Sequence, residues 1–122
     1  MSVDTALSKS MSETQRLQNL SEDELSMELL SQGVSVLLFG EILRRYQKQI
    51  YYHCRNLLVN HDDSDDAAQN TFIKVWQNLA QFKGESRLRT WVYRIATNES
   101  INLLRKRKPT IDFDEAQPEM AE

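Results

Sequence analysis

A chain of 122 residues, 40% hydrophobic and 27% charged, has room for one well-buried globular domain and not for two. Three glycines and two prolines leave little for turns, so the expected fold is all-α, a compact bundle of about four helices. The single cysteine, Cys54, excludes an intramolecular disulfide and a cysteine-based zinc site, and no apolar run approaches the roughly 20 residues of a membrane span, so a cytosolic location is expected.

The net charge of −3 is unevenly spread: residues 1–32 carry −4, residues 33–110 carry +6 and residues 111–122 carry −5. Partners are set by this local field, that of a basic domain between acidic flanks.

Residues 1–20 are rich in Ser, Thr and Gln and lack apolar periodicity, so they are expected to be disordered or frayed. Ser21 and Glu24 then have the spacing of a capping box. Leu25, Leu29 and Leu30 make a short apolar stripe, and Gly33 is placed to end the helix in a left-handed conformation. A second helix is expected from about 35 to 60, because Phe39, Leu43, Tyr46, Ile50, Cys54 and Leu57 recur at helical spacing. Arg44, Arg45, Lys48 and Arg55 lie off that stripe, on an expected solvated face. His53 has no second ligand one turn away and reads as structural.

Residues 60–64 form a polar break, and Asp62, Asp63, Asp65 and Asp66 suit the positive end of the next helix. A metal site there would lack the glycine turn and terminal glutamate of a calcium loop, so none is assigned. The third helix, about 64–80, is expected to bury Ala68, Phe72, Val75 and Leu79. Its other face carries Asp66, Gln69, Asn70, Ile73, Lys74 and Gln77, with Trp76 at the margin. An isoleucine among amides is either an isolated exposed apolar residue or the centre of an interface with a polar rim.

Residues 81–108 dominate the sequence: a glycine-bearing loop feeds a helix with aromatics at its start and four consecutive cations at its end. Between residues 89 and 108 the cations Arg89, Arg94, Arg105, Lys106, Arg107 and Lys108 face Glu99 alone, a net +5. With Trp91 and Tyr93 interleaved, this is the footprint of an element that binds phosphates and stacks bases; the plainer reading is a basic surface helix with its aromatics in the core. Leu88, Trp91 or Val92, Ile95, Ala96, Glu99 and Leu103 trace the inward stripe. Glu99 and Asn102 are awkward there, since buried polar groups need partners. Pro109 stops the helix, and the acidic residues 109–122 read as the start of a linker. No nucleophile, base and orienting acid come together and no phosphate-cradling glycine loop is present, so neither an enzyme nor a cofactor is expected.

Leu38, Phe39 and Tyr46, then Asp66-Ala67-Ala68-Gln69-Asn70-Thr71-Phe72, then Phe82-Lys83-Gly84, then Arg89-Thr90-Trp91-Val92-Tyr93-Arg94-Ile95-Ala96-Thr97-Asn98 resemble, in order and spacing, region 2 of the extracytoplasmic-function (ECF) sigma factors. These are small bacterial transcription-initiation subunits of the sigma-70 family. The similarity covers about residues 21–108. It implies that the third helix docks on the coiled coil of the largest subunit of core RNA polymerase through Asp66, Gln69, Asn70, Ile73, Lys74 and Gln77. It further implies that the loop and basic helix capture the −10 promoter element, melt it and hold the non-template strand. Pulling a base from its stack costs a few kcal/mol, which a pocket and stacking side chains must offset. Phe82, Lys83, Gly84 and Ser86 would line that pocket, Trp91 or Tyr93 would wedge or stack, Asn98 would read a base edge, and Arg89, Arg94 and Arg105 would hold phosphates. An anti-sigma factor is the implied regulatory partner, and no membrane is involved.

Two departures stand out. Asn70 occupies a position where the family usually carries an acid, and the family normally continues through a linker, which residues 109–122 resemble, into a second helical domain that reads the −35 element and has no counterpart within these 122 residues. Two other readings fit less well. A helix-turn-helix regulator of duplex DNA needs a second helix about four residues before the reading helix, and the loop over 81–88 argues against it. Capture of the polymerase coiled coil by the wild type but not by Ile73→Asp would count against a pure protein-interaction module without promoter melting.

Overall fold

In the computed structural model, which describes residues 12–107, helices joined by short loops make up the described residues, and there is no strand among them. Helix α1 covers 12–18, α2 Glu22–Gln32, α3 Val36–Leu57, α4 His61–Asn78, then a 3-10 turn Leu79–Gln81, and α5 Leu88–Arg107. Residues 1–11 of the expected frayed segment and the expected linker at 109–122 lie outside the described residues. Helices α3, α4 and α5 pack on one another, and α2 lies against α5. Their shared core includes Leu25, Ile42, Ile50, Cys54, Val75, Leu79, Leu88, Val92 and Ala96, all without solvent exposure.

Helix starts are fixed by short polar side chains. Ser21 accepts from the Glu24 N–H at 3.1 Å while Glu24 accepts from the Ser21 N–H at 2.8 Å, completing the expected capping box. Ser35 caps α3 through the Leu38 N–H at 3.0 Å, and Asn60 caps α4 through the Asp63 N–H at 2.7 Å. Each such cap contributes about 1 kcal/mol. Helix α5 draws one of its first-turn acceptors from a distant element: Glu22 of α2 accepts from the Arg89 N–H at 3.0 Å. The basic helix is therefore anchored at its start by the acidic first turn of α2.

Residues 12–18 correct the expectation of a frayed segment, because their one apolar side chain of length, Leu17, is 2% exposed and sits in the core. Arg16 pairs with Glu13 at 2.5 Å and Glu28 at 2.7 Å. Arg45, expected on a solvated face, instead donates to the Leu17 and Leu20 carbonyls at 2.9 and 2.6 Å, capping the end of α1. Its partner Glu41 is 4% exposed and also binds Arg44 at 2.8 Å. Burial alone would push the Glu41 carboxyl up, but hydrogen bonds from Arg44 and Arg45 outweigh it and hold its pKa below the ordinary glutamate value. A depressed carboxylate pKa stabilises the fold above the unfolded value and stops doing so as pH falls through the folded one, so this clamp loosens only in acid.

The α3 stripe is shifted at its start. Leu38 and Ile42 enter the core, whereas Phe39 and Leu43 are half-buried, and at the far end Leu58 replaces the exposed Leu57. Both faces of this amino-terminal half are apolar, so periodicity alone could not choose between them. In α4 the buried face is Ala67, Thr71, Phe72 and Val75, with Ala68 only half-buried. The Thr71 and Ser64 hydroxyls are satisfied locally, donating to the Ala67 carbonyl at 2.7 Å and the Asn60 carbonyl at 2.8 Å. In α2, Leu25 and Leu29 are buried while Leu30, expected with them, is 46% exposed. Gly33 ends this helix at φ +87°, with ψ extended in place of the expected left-handed turn.

Candidate nucleic-acid interface

Along α5 the fully buried row is Leu88, Val92, Ala96 and Ser100, which settles Val92 and not Trp91 as the inward residue. Glu99 is half-buried and Asn102 is exposed, so the polar groups expected to be awkward are not sealed in the core. Ser100 faces inward without having been foreseen. It lies beside Cys54, whose thiol pKa burial pushes up while Ser100 pulls the other way.

With the inward row fixed, Trp91 is left half-buried at the edge of α5, its ring edge-on to Phe82 at 5.4 Å between centroids. Gln81, Phe82, Lys83, Glu85, Ser86, Trp91 and Arg94 line a cavity of about 420 Å³. Phe82, expected among the groups touching a nucleotide, is only 5% exposed: it belongs to the core and props Trp91 from beneath. Lys83 and Arg94 are exposed, and Ser86 is half-buried.

Gly84 adopts φ +77°, a conformation that L side chains rarely take. A Cβ there would stand 2.9 Å from Leu30 Cδ1, so the close approach this glycine permits is to the end of α2. That contact positions the loop over 82–87 beside α5.

From Arg94 the exposed face continues one turn at a time through Asn98, Asn102 and Arg105. Asn102 was missed in the sequence because it was counted with the inward stripe; its spacing of one turn from Asn98 was the available signal. Among the described residues, Lys83, Arg89, Arg94, Arg105 and Lys106 make no ion pair, so these side chains remain open to an anionic partner.

Two expected members do not join this face. Trp91 and Tyr93 are separated by about 200° around the helix, at 3.6 residues per turn. Tyr93 and Arg89 therefore stand on the opposite flank, against α3. His53 also packs there: its ring is tilted on Tyr93 at 4.9 Å between centroids and its Nε2 lies 2.8 Å from Thr97 Oγ1. Burial lowers its pKa, which favours the neutral ring.

On α4, Asp66, Gln69, Asn70, Ile73, Lys74 and Gln77 are all exposed, and Ile73 is 53% exposed. The fold divides them. Gln69, Ile73 and Gln77 line a groove of about 830 Å³ between α3 and α4, together with Phe39, Leu43, Phe72 and Trp76, while Asp66, Asn70 and Lys74 lie outside its lining. Trp76 is held edge-on to Phe39 at 5.2 Å between centroids. The groove is apolar at its centre and rimmed by amides, the anatomy of a protein interface.

In class, then, this is an all-α domain with a cationic, aromatic-edged face on one helix and an apolar groove on another, and no helix among the described residues is long and apolar enough to cross a membrane. The model of sigma-70 region 2 matches residues 42–110, more than half of the chain, and the chain belongs to that family. It is 38% identical over 76 residues to the ECF RNA polymerase sigma factor SigW of Bacillus subtilis, a match covering 62% of this chain and 41% of that protein. It is 36% identical over 66 residues to the ECF sigma factor SigG of Mycobacterium tuberculosis, covering 52% of this chain and 18% of that protein. The ECF sigma-E factor of Haemophilus influenzae is 35% identical over 85 residues, covering 67% of this chain and 42% of its own length. The chain thus spans less than half the length of these curated relatives. No solved structure gives a significant match.

Proposed function

We propose that this domain acts in promoter recognition as part of an RNA polymerase sigma factor: it docks on core polymerase through the α3–α4 groove and holds an unstacked base of the −10 element in the cavity beside Trp91. The observation that carries this reading is the convergence of Lys83, Ser86, Trp91 and Arg94 on one cavity, continued by exposed Asn98, Asn102 and Arg105. A base leaving its stack meets the Trp91 ring, the flanking phosphates meet Arg94, Arg105 and Lys83, and the carboxamide of Asn98 reads a base edge. Gly84 serves this arrangement indirectly, by letting the loop close on Leu30. The chemistry of transcription belongs to the polymerase, and this domain works beside it in the cytosol, with an anti-sigma factor as the regulatory partner the family resemblance suggests.

The reading separates two kinds of contact that fluorescence anisotropy on single-stranded −10 oligonucleotides distinguishes. Arg94→Ala is expected to weaken binding to every sequence alike and to reduce the salt slope by about 1, whereas Asn98→Ala relaxes sequence preference by roughly 1–3 kcal/mol. Equal losses on all oligonucleotides for both variants would contradict the assigned roles.

A further inference from the structure

Arg89 and Tyr93 are the two members of the expected DNA set that the fold carries away from Trp91. On the opposite flank of α5 they line an open cavity of about 340 Å³ with Gln49, Tyr52, His53 and Asn56 of α3. Its parts are held in place by one another. The Arg89 guanidinium lies over the Tyr93 ring, 4.5 Å from its centroid, and donates to the Tyr93 hydroxyl at 3.3 Å. That hydroxyl donates to Gln49 Oε1 at 3.3 Å. Arg89 makes no ion pair among the described residues; the carboxylate of Glu22 takes its backbone N–H and not its guanidinium. Tyr52, which stands between this cavity and the α3–α4 groove and lines both, is 57% exposed with its ring edge-on to Tyr51, and Asn56 beside it is exposed.

A fixed cation without an ion pair, an exposed aromatic ring and an exposed carboxamide match the three parts of a nucleotide: phosphate, base face and base edge. We infer that the α3–α5 cavity is a second nucleotide site for single-stranded DNA, in which Arg89 holds a phosphate, Tyr52 stacks the base and Asn56 meets its edge. The inference rests on the proposed role of the Trp91 cavity, because the same strand is meant to occupy both. The two sites flank a helix about 10–12 Å across, which a strand at its stacked rise of about 3.4 Å per nucleotide crosses in roughly three nucleotides. The exposed Thr90 and Arg94 line the way between them.

Anisotropy with two oligonucleotides tests this: a short single strand that fills the Trp91 cavity alone, and one extended on both sides by about four nucleotides, enough to cross the helix at the rise above. The wild type is expected to gain about tenfold in affinity from the extension. Tyr52→Ala and Asn56→Ala, both at exposed positions, are each expected to erase most of that gain and to leave the short strand unchanged. Variants that match the wild type on both strands, or that lose equally on both, overturn the second site. A wild type that binds the short strand but gains nothing from extension removes the second site and leaves the first intact, whereas a wild type that binds neither strand removes both. Free dAMP that displaces the long strand as effectively as added strand also overturns the inference, since the cavity would then serve a free nucleotide.

Discussion

Replacing Trp91 with alanine is expected to weaken binding of a single-stranded −10 oligonucleotide by between about fivefold and 150-fold, the equivalent of roughly 1–3 kcal/mol for loss of one base–aromatic stack. The ring is placed for that role by its neighbours. Val92 takes the inward position on α5, Phe82 supports Trp91 from below, and the exposed remainder of the indole borders the cavity with Lys83, Ser86 and Arg94. Trp91→Phe keeps an aromatic face over Phe82 and is expected to retain most of the affinity. Circular dichroism separates this from a packing effect, because Trp91 is half-buried and its loss also costs some stability. Affinity that survives Trp91→Ala within twofold would mean that the ring is packing only.

The second large effect is expected at the α3–α4 groove. Ile73→Asp places a charge at the apolar centre of the proposed docking surface, so capture of the polymerase coiled coil is expected to fall by at least about 30-fold, the scale of a hot-spot loss of 2 kcal/mol. Because Ile73 is 53% exposed, the fold itself should change by no more than about 0.5 kcal/mol. Binding to −10 single strand should stay at the wild-type level, since Ile73 and the Trp91 cavity share no lining residue. Pull-down with the isolated coiled coil, beside anisotropy on the same samples, reads both. A variant that captures the coiled coil as well as the wild type does would move the docking surface elsewhere, with the outer flank of Asp66, Asn70 and Lys74 the next to test.

Much of this architecture is written locally in the sequence. The capping box of Ser21 and Glu24, the run of Tyr46, Ile50 and Cys54, and the uniformly exposed polar face of α4 follow from spacing, because each depends on residues within a turn or two of one another. What spacing could not supply was the partner on the other side. Residues 12–18 looked frayed because the groups that hold them, Arg45 and Glu28, come from α3 and α2. Arg45 looked solvated for the same reason. Both faces of the start of α3 are apolar, so only tertiary packing distinguishes the core row Leu38 and Ile42 from the groove row Phe39 and Leu43.

The candidate site shows the same division. Its composition was legible, as a glycine loop, two aromatics and a ladder of cations. Its partition was not: helical geometry sends Trp91 and Tyr93 to opposite flanks, and only tertiary contacts reveal that Arg89 and Tyr93 meet Gln49, Tyr52 and Asn56. Likewise Gly84 looked like a residue that admits a base, and its neighbour proves to be Leu30 of α2.

The central claim is that this domain, seated on polymerase, takes a base out of the −10 duplex. A duplex carrying 2-aminopurine beside the captured position of the −10 element, mixed with core RNA polymerase and this chain, reports that step directly, because 2-aminopurine brightens when its neighbour leaves the stack and is not itself stacked on Trp91. A rise in fluorescence that needs both proteins and disappears with Trp91→Ala is the predicted result. Tight binding of the duplex with no rise, or a rise of equal size with Trp91→Ala, would contradict it.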